Sequence, residues 1–147
     1  MKIMLLSDTA KVPTRGSDYA AGYDLYADLP KISGEFVAIP PHQTIKISTG
    51  VAIEIPVGYF GGVFPRSGMS AKRGLRPANC VGVIDADYRG EIFVAIHNDS
   101  DEVQFIYPNE RIAQLIVLPC CDFNWEVVDS LSTTTRGAGG FGSTGTK

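Results

Sequence analysis

Cysteine, histidine and tryptophan are scarce in this chain, at three, two and one among 147 residues. Cys80, Cys120 and Cys121 match no zinc-ligand spacing. Two of them are adjacent, and neighbours bridge each other only with strain. An odd count read this way predicts reduced thiols that serve as packing residues in a reducing compartment. His42 and His97 form no constellation with Cys or Asp, so a Ser-His-Asp triad has no local support. No apolar run approaches the roughly 18 residues that span a bilayer. The opening MKIMLL is too short for the apolar stretch of a secretory signal and has no cleavage site. A cytoplasmic, intracellular protein is therefore expected, with no membrane contact. A surplus of positive charge is missing too: the net charge is −3 and the pI about 5.3. That balance excludes a general nucleic-acid binder, although a local basic patch could hold a small anion.

Long helical windows are also absent. Sixteen glycines and nine prolines punctuate the chain every few residues. Between them the apolar residues recur with period two, which marks half-buried strands. TIKIS sets Ile45 and Ile47 on one face, and VAIEIP does the same for Val51, Ile53 and Ile55. EIFVAIHN offers Ile92, Val94 and Ile96, and VQFIY offers Val103, Phe105 and Tyr107. Many short strands with regular turns predict an all-β sandwich, jelly roll or barrel.

The segment IAQLIVLP, Ile112 to Pro119, is apolar on both faces except at Gln114. Such a strand belongs inside a sheet stack or at a subunit contact, and Gln114 there needs hydrogen-bond partners. The one expected helix is short, around SGMSAKRG from Ser67 to Gly74, with Ser67 able to cap it. A single domain over 1–130 is expected, followed by a mobile glycine-rich arm over 131–147.

That arm contains RGAGGFGSTG, Arg136 to Gly145. GAGGFG formally fits the dinucleotide fingerprint, but only five residues follow Gly142, too few for the helix and second strand that motif requires. The strip is either a disordered tail or an anion grip. In the second reading its glycines let backbone N–H groups converge, Ser143 and Thr144 add hydroxyls, and Arg136 adds a planar charged fork. PRSGMS places Arg66, Ser67 and Gly68 at a helix start, either as an ordinary cap with an exposed arginine or as a phosphate clamp. NCVGVIDADYRGEI reads as a β-hairpin with acids at its tip. Asp85 follows Ile84 at the strand end and could serve as a general base for water. Tyr88 could pack on a sugar, and Asn79 carries a donor and an acceptor for a base edge. In AAGYDLYA, Asp24 is either a strand-edge acid or a group that reaches Mg²⁺ through water.

Five segments in this order, AAGYDLYA, PRSGMS, NCVGVIDADYRGEI, NERIAQLIV and RGAGGFGSTG, resemble the motifs of the homotrimeric dUTPases. The resemblance runs from about Ala20 to Gly145, and its main departure is Met69 where that family usually has Leu. It implies a distorted jelly-roll β-barrel or sandwich with one short helix and a C-terminal arm exchanged between subunits, each site being shared by three chains. It implies hydrolysis of dUTP to dUMP and pyrophosphate by in-line water attack at the α-phosphorus. That reaction limits uracil in DNA and supplies dUMP for dTMP synthesis.

By the same resemblance Asp85 activates the attacking water. Asn79, Val83, Ile84 and the backbone near Phe93 read uracil, and Tyr88 packs on the deoxyribose. Arg66, Ser67, Gly68 and Gln114 hold the phosphates. Asp24 orients water on a Mg²⁺ that the triphosphate mainly holds, and Arg111 supports the site structurally. Arg136, Phe141, Gly142, Ser143 and Thr144 come from a neighbouring subunit, with Phe141 over the base. Two rivals are a dCTP deaminase on the same scaffold and a jelly-roll protein that binds nucleotide or protein without turnover.

Overall fold

A computed structural model describes residues 1–29 and 36–140. Among these the regular structure is almost entirely β. Twelve strands run β1 Lys2–Leu5, β2 Thr14–Arg15, β3 Tyr23–Tyr26, β4 Val37–Ile39, β5 Thr44–Ser48, β6 Val51–Glu54, β7 Tyr59–Phe64, β8 Leu75–Pro77, β9 Gly82–Ile84, β10 Phe93–Asn98, β11 Gln104–Ile106 and β12 Arg111–Pro119. One helix, α1 Ser67–Arg73, separates β7 from β8. No described helix is long and apolar enough to cross a membrane.

The strands form a five-stranded sheet, β2-β3-β12-β7-β9, a three-stranded sheet, β5-β10-β8, and two pairs, β1-β6 and β11-β4. Every pairing is antiparallel. No sheet closes into a barrel. Most neighbours are distant in sequence, so the fold depends on non-local contacts. The core is one cluster drawn from all the sheets, including Leu25, Ile39, Ile47, Val51, Ile96, Ile106 and Leu115. Inward faces of stacked sheets interdigitate in this way because each strand alternates its side chains.

The doubly apolar segment is β12, placed between β3 and β7 inside the larger sheet. Ile112, Ala113 and Leu115 are buried on it. Gln114 finds the partner its position requires: its Nε2 donates to the Pro65 carbonyl at 2.9 Å. The faces expected from Ile92, Val94 and Ile96, and from Val51, Ile53 and Ile55, are both buried.

Several local expectations do not hold. In β11 the core residue is Ile106, whereas Val103 and Tyr107 are exposed. Phe36 stacks edge-on against Phe105 at a centroid separation of 4.9 Å, so Phe105 has a partner outside the main core. Alternation was right, but β4 pairs so as to turn the other face inward. Ser67 does not cap α1. The cap position is Arg66, with no side-chain cap bond, because Ser67 already lies in the first turn. Gly74 ends the helix with φ 65°, the left-handed geometry glycine adopts without steric cost. All three cysteines are free and exposed, so they are not packing residues. Past β12 the described chain has no strand, and large apolar side chains there lie open: Phe123, Trp125, Val127 and Leu131 are 71, 93, 98 and 87% exposed.

Candidate functional site

The segment Asn79 to Ile92 is not a hairpin. β9 pairs with β7, and β10 pairs with β5 and β8, so the two strands belong to different sheets. The connection between them crosses from one sheet to the other and leaves a gap. β9 is the last strand of its sheet. β8 covers β10 only from Ile96 to Asn98, with one further bond from the Ala78 N–H to the Ala95 carbonyl at 2.7 Å. Two incompletely paired strand edges therefore border one cleft, and their backbone donors and acceptors remain available to a ligand.

That cleft is a cavity of about 450 Å³. Asn79, Val83, Ile84, Asp85, Tyr88 and Phe93 all line it. Asp85 stands one residue beyond β9 and is exposed. Its carbonyl accepts from the Tyr88 N–H at 3.2 Å, which turns the chain and brings the Tyr88 ring back over the loop. The Tyr88 hydroxyl donates to the Glu91 carbonyl at 2.8 Å.

A second cavity, of about 390 Å³, is lined by Asp24, Arg66, Ser67, Gly68, Arg111 and Gln114, together with three small residues of the 16–22 loop. Asp24 is buried on β3, which β12 and β2 flank. The Arg66 Nε donates to its Oδ1 at 2.8 Å and the Arg111 Nη1 to its Oδ2 at 3.2 Å. Arg66 also donates to the Arg111 carbonyl at 3.3 Å. One carboxylate thus holds two guanidiniums that arrive from 42 and 87 positions away in sequence. A carboxylate accepts up to about four hydrogen bonds, so two such bonds leave room for water. Among the described residues, none lines both cavities in the single chain.

In the arm the Arg136 Nε donates to the Gly139 carbonyl at 2.8 Å, closing a small turn. Phe141, Gly142, Ser143 and Thr144 lie outside the described residues.

Two charged residues of the first cavity escaped sequence reasoning, Lys46 and Glu91. Lys46 sits between Ile45 and Ile47, and alternation marks it as outward-facing without saying what it faces. Its ammonium stands 3.7 Å from the Phe93 ring centroid, within cation–π range. Nothing in the local pattern distinguishes Glu91 from a solvated turn acid.

The dUTPase family model matches residues 8–145, which is nearly the whole chain. The chain belongs to the dUTPase family. Curated relatives carrying the name deoxyuridine 5'-triphosphate nucleotidohydrolase include one from Desulfitobacterium hafniense, 48% identical over 92% of this chain and 87% of its own length. Another, from Escherichia phage T5, is 47% identical over 92% of this chain and 93% of its own. Among solved structures, a dUTPase variant of Staphylococcus bacteriophage 80alpha with dUpNHpp superposes with a TM-score of 0.83 at 31% identity, covering 98% of this chain and 97% of that one. A dUTPase variant from phage phi11 of S. aureus, whose structure reveals the coordination of a structural Mg(II) ion, gives 0.75 at 28% identity over 88% of this chain and 96% of that one. The jelly roll is thereby the fold of this dUTPase.

Proposed function

We propose that this protein hydrolyses dUTP to dUMP and pyrophosphate, with Asp85 as the general base. The observation that carries this reading is the convergence of Asp85, Asn79 and Tyr88 on one cleft bordered by two open strand edges. A strand edge offers donors and acceptors in fixed alternation, which suits the edge of uracil. Cytosine presents a donor where uracil presents an acceptor, and the mismatch leaves buried groups unpaired. Thymine adds a methyl that a narrow cleft rejects. Asn79 supports recognition of the base, and Tyr88 packs on the deoxyribose, where a ribose 2′-OH would clash.

Asp85 takes a proton from water as the oxygen attacks the α-phosphorus. The new P–O bond forms as the bond to the bridging oxygen of the β-phosphate breaks, and pyrophosphate leaves. Arg66, Ser67, Gly68 and Gln114 hold the phosphates, so positioning and charge supply most of the acceleration. Among the described residues no three His, Cys, Asp or Glu side chains gather as a metal cage. The donors therefore fit a Mg²⁺ held chiefly by the triphosphate, with Asp24 reaching it through water. When bound, that ion spreads the negative charge of the phosphates.

The separation of the two cavities supports a site shared between copies of the chain in a homotrimer. A nucleotide that meets Asp85 on one chain would meet the Arg66 cavity of another. The open apolar side chains after β12, from Phe123 to Leu131, support docking of the C-terminal segment on a neighbour, since exposed apolar surface of this kind marks interaction sites. Arg136 and the Phe141–Thr144 strip would then close over base and phosphates as a lid, excluding bulk water. The division into a 1–130 body and a 131–147 arm follows the same reading.

A pyrophosphate-release assay over dUTP, dTTP, dCTP and UTP with Mg²⁺ tests the proposal. Release from dUTP is expected, with the other three about a hundredfold slower: dCTP because its base edge leaves groups unpaired, and dTTP and UTP because the added methyl or hydroxyl does not fit. Ammonia release from dCTP, or binding of dUTP without turnover, would overturn it.

A further inference from the structure

We infer that Glu91 is a positioning residue that sets the sugar selectivity of the site by holding Tyr88. This rests on the reading of Tyr88 as the group that packs on the deoxyribose.

The loop from Asp85 to Ile92 spans two sheets and has no ladder of its own, so something else must fix its shape. The return end is anchored to the turn between β5 and β6. The Glu91 Oε1 accepts from the Gly50 N–H at 2.9 Å and from the Ser48 hydroxyl. The next residue, Ile92, donates its N–H to the Val51 carbonyl at 2.8 Å and accepts at its own carbonyl from the Thr49 hydroxyl. Ile92 is 1% exposed, so this end of the loop is sunk in the core.

Tyr88 is fastened to that anchor. Its hydroxyl donates to the Glu91 main-chain carbonyl. Gly90, the second of the two residues between them, has no room for a side chain while the ring stays in this place. A Cβ at Gly90 would lie 2.5 Å from the Tyr88 hydroxyl oxygen and 2.7 Å from the ring carbon bearing it. Tyr88 is 42% exposed, so packing alone does not hold its ring. Its angle is set by one hydrogen bond to a carbonyl whose own residue is pinned, through its side chain, to the end of β5 and the turn that follows it. Glu91 therefore acts twice, with its carboxylate as the anchor and its carbonyl as the latch.

A tilt of the ring opens room where a 2′-hydroxyl would sit. Loss of the anchor should thus raise acceptance of UTP more than it slows dUTP. A general loss of fold would slow both substrates alike.

The test measures kcat/KM for dUTP and UTP in Glu91→Ala, Glu91→Gln, Ser48→Ala, Tyr88→Ala and the Tyr88→Ala/Glu91→Ala double variant. Glu91→Ala should lower the dUTP/UTP ratio roughly three- to tenfold, the range one lost hydrogen-bonded anchor supports. Glu91→Gln keeps an acceptor oxygen at the same place and should restore most of the ratio. Ser48→Ala removes one donor outside the cavity and should give a smaller change in the same direction, so the inference stays testable if Glu91→Ala does not fold. In the Tyr88→Ala background, Glu91→Ala should have no further effect on the ratio. Should Tyr88→Ala leave the ratio unchanged, the sugar-packing reading fails and this inference with it. Should Tyr88→Ala lower the ratio while Glu91→Ala and Ser48→Ala do not, only the role of Glu91 is refuted. An equal effect of Glu91→Ala with and without Tyr88 would likewise refute action through the ring.

Discussion

Replacing Asp24 by Asn keeps the shape of the second cavity but removes the one negative charge between Arg66 and Arg111. The Asp24 side chain is only 11% exposed, Arg66 is 27% and Arg111 is 49%. Removing one partner of a buried ion pair costs about 3–5 kcal/mol, because it strands the other charge away from water. The Arg66 contact comes close to that case. Arg111 is half in solvent, and exposed pairs contribute at most about 1 kcal/mol. Asparagine also restores one acceptor. A loss of about 2–3 kcal/mol is therefore expected once solvent screening of Arg111 is allowed for. Urea unfolding followed by far-UV circular dichroism, at fixed protein concentration, measures it. With a slope of about 2 kcal/mol per molar, the midpoint should fall by about 1–1.5 M with the slope unchanged. A midpoint within about 0.25 M of the parent would show that this triad of charges adds nothing to the fold, and the account of Asp24 as its clamp would fail.

Asp85→Asn should lower turnover of dUTP by about 10²–10⁴-fold while nucleotide binding by calorimetry persists; retained activity would remove Asp85 from the base role. Deleting residues 136–147 should leave a folded trimer by light scattering with little activity, and an unfolded product would instead make the strip structural. Gly22→Ala would put a Cβ 2.6 Å from the Gln114 Oε1 and 3.1 Å from its Cβ, forcing that side chain aside. Loss of the Gln114–Pro65 bond should cost about 1 kcal/mol and raise KM for dUTP, and a parent-like KM would contradict a phosphate contact by Gln114. The Arg76 side chain bonds Asp99 at 2.6 and 3.0 Å and holds its carboxyl below the usual range, against the opposing pull of desolvation. A depressed carboxylate adds stability above its ordinary value of about 3.9 and loses it as pH falls through its value in the folded protein. Arg76→Met should return the Asp99 titration, followed by NMR, toward the ordinary value, and an unmoved titration would refute the pairing.

Taken by itself, the sequence determined the kinds of element and many of their positions. Period-two runs became strands β5, β6, β10 and β11, the doubly apolar run became β12, and the one expected helix became α1. Those features follow from side chains alternating across a pleated backbone, a property of neighbours along the chain. The five motifs identified the family for the same reason, since each is a short run with its own chemistry. Tertiary structure alone decided the partners. It turned Ile106 rather than Val103 and Tyr107 inward, and it sent β9 and β10 to different sheets, so that the cleft lies between them. It also brought Arg66 and Arg111 onto Asp24, and tied Glu91 to the turn before β6. Alternation states which residues share a face. Which face turns inward, and which strand lies beside it, depends on contacts between segments tens of residues apart.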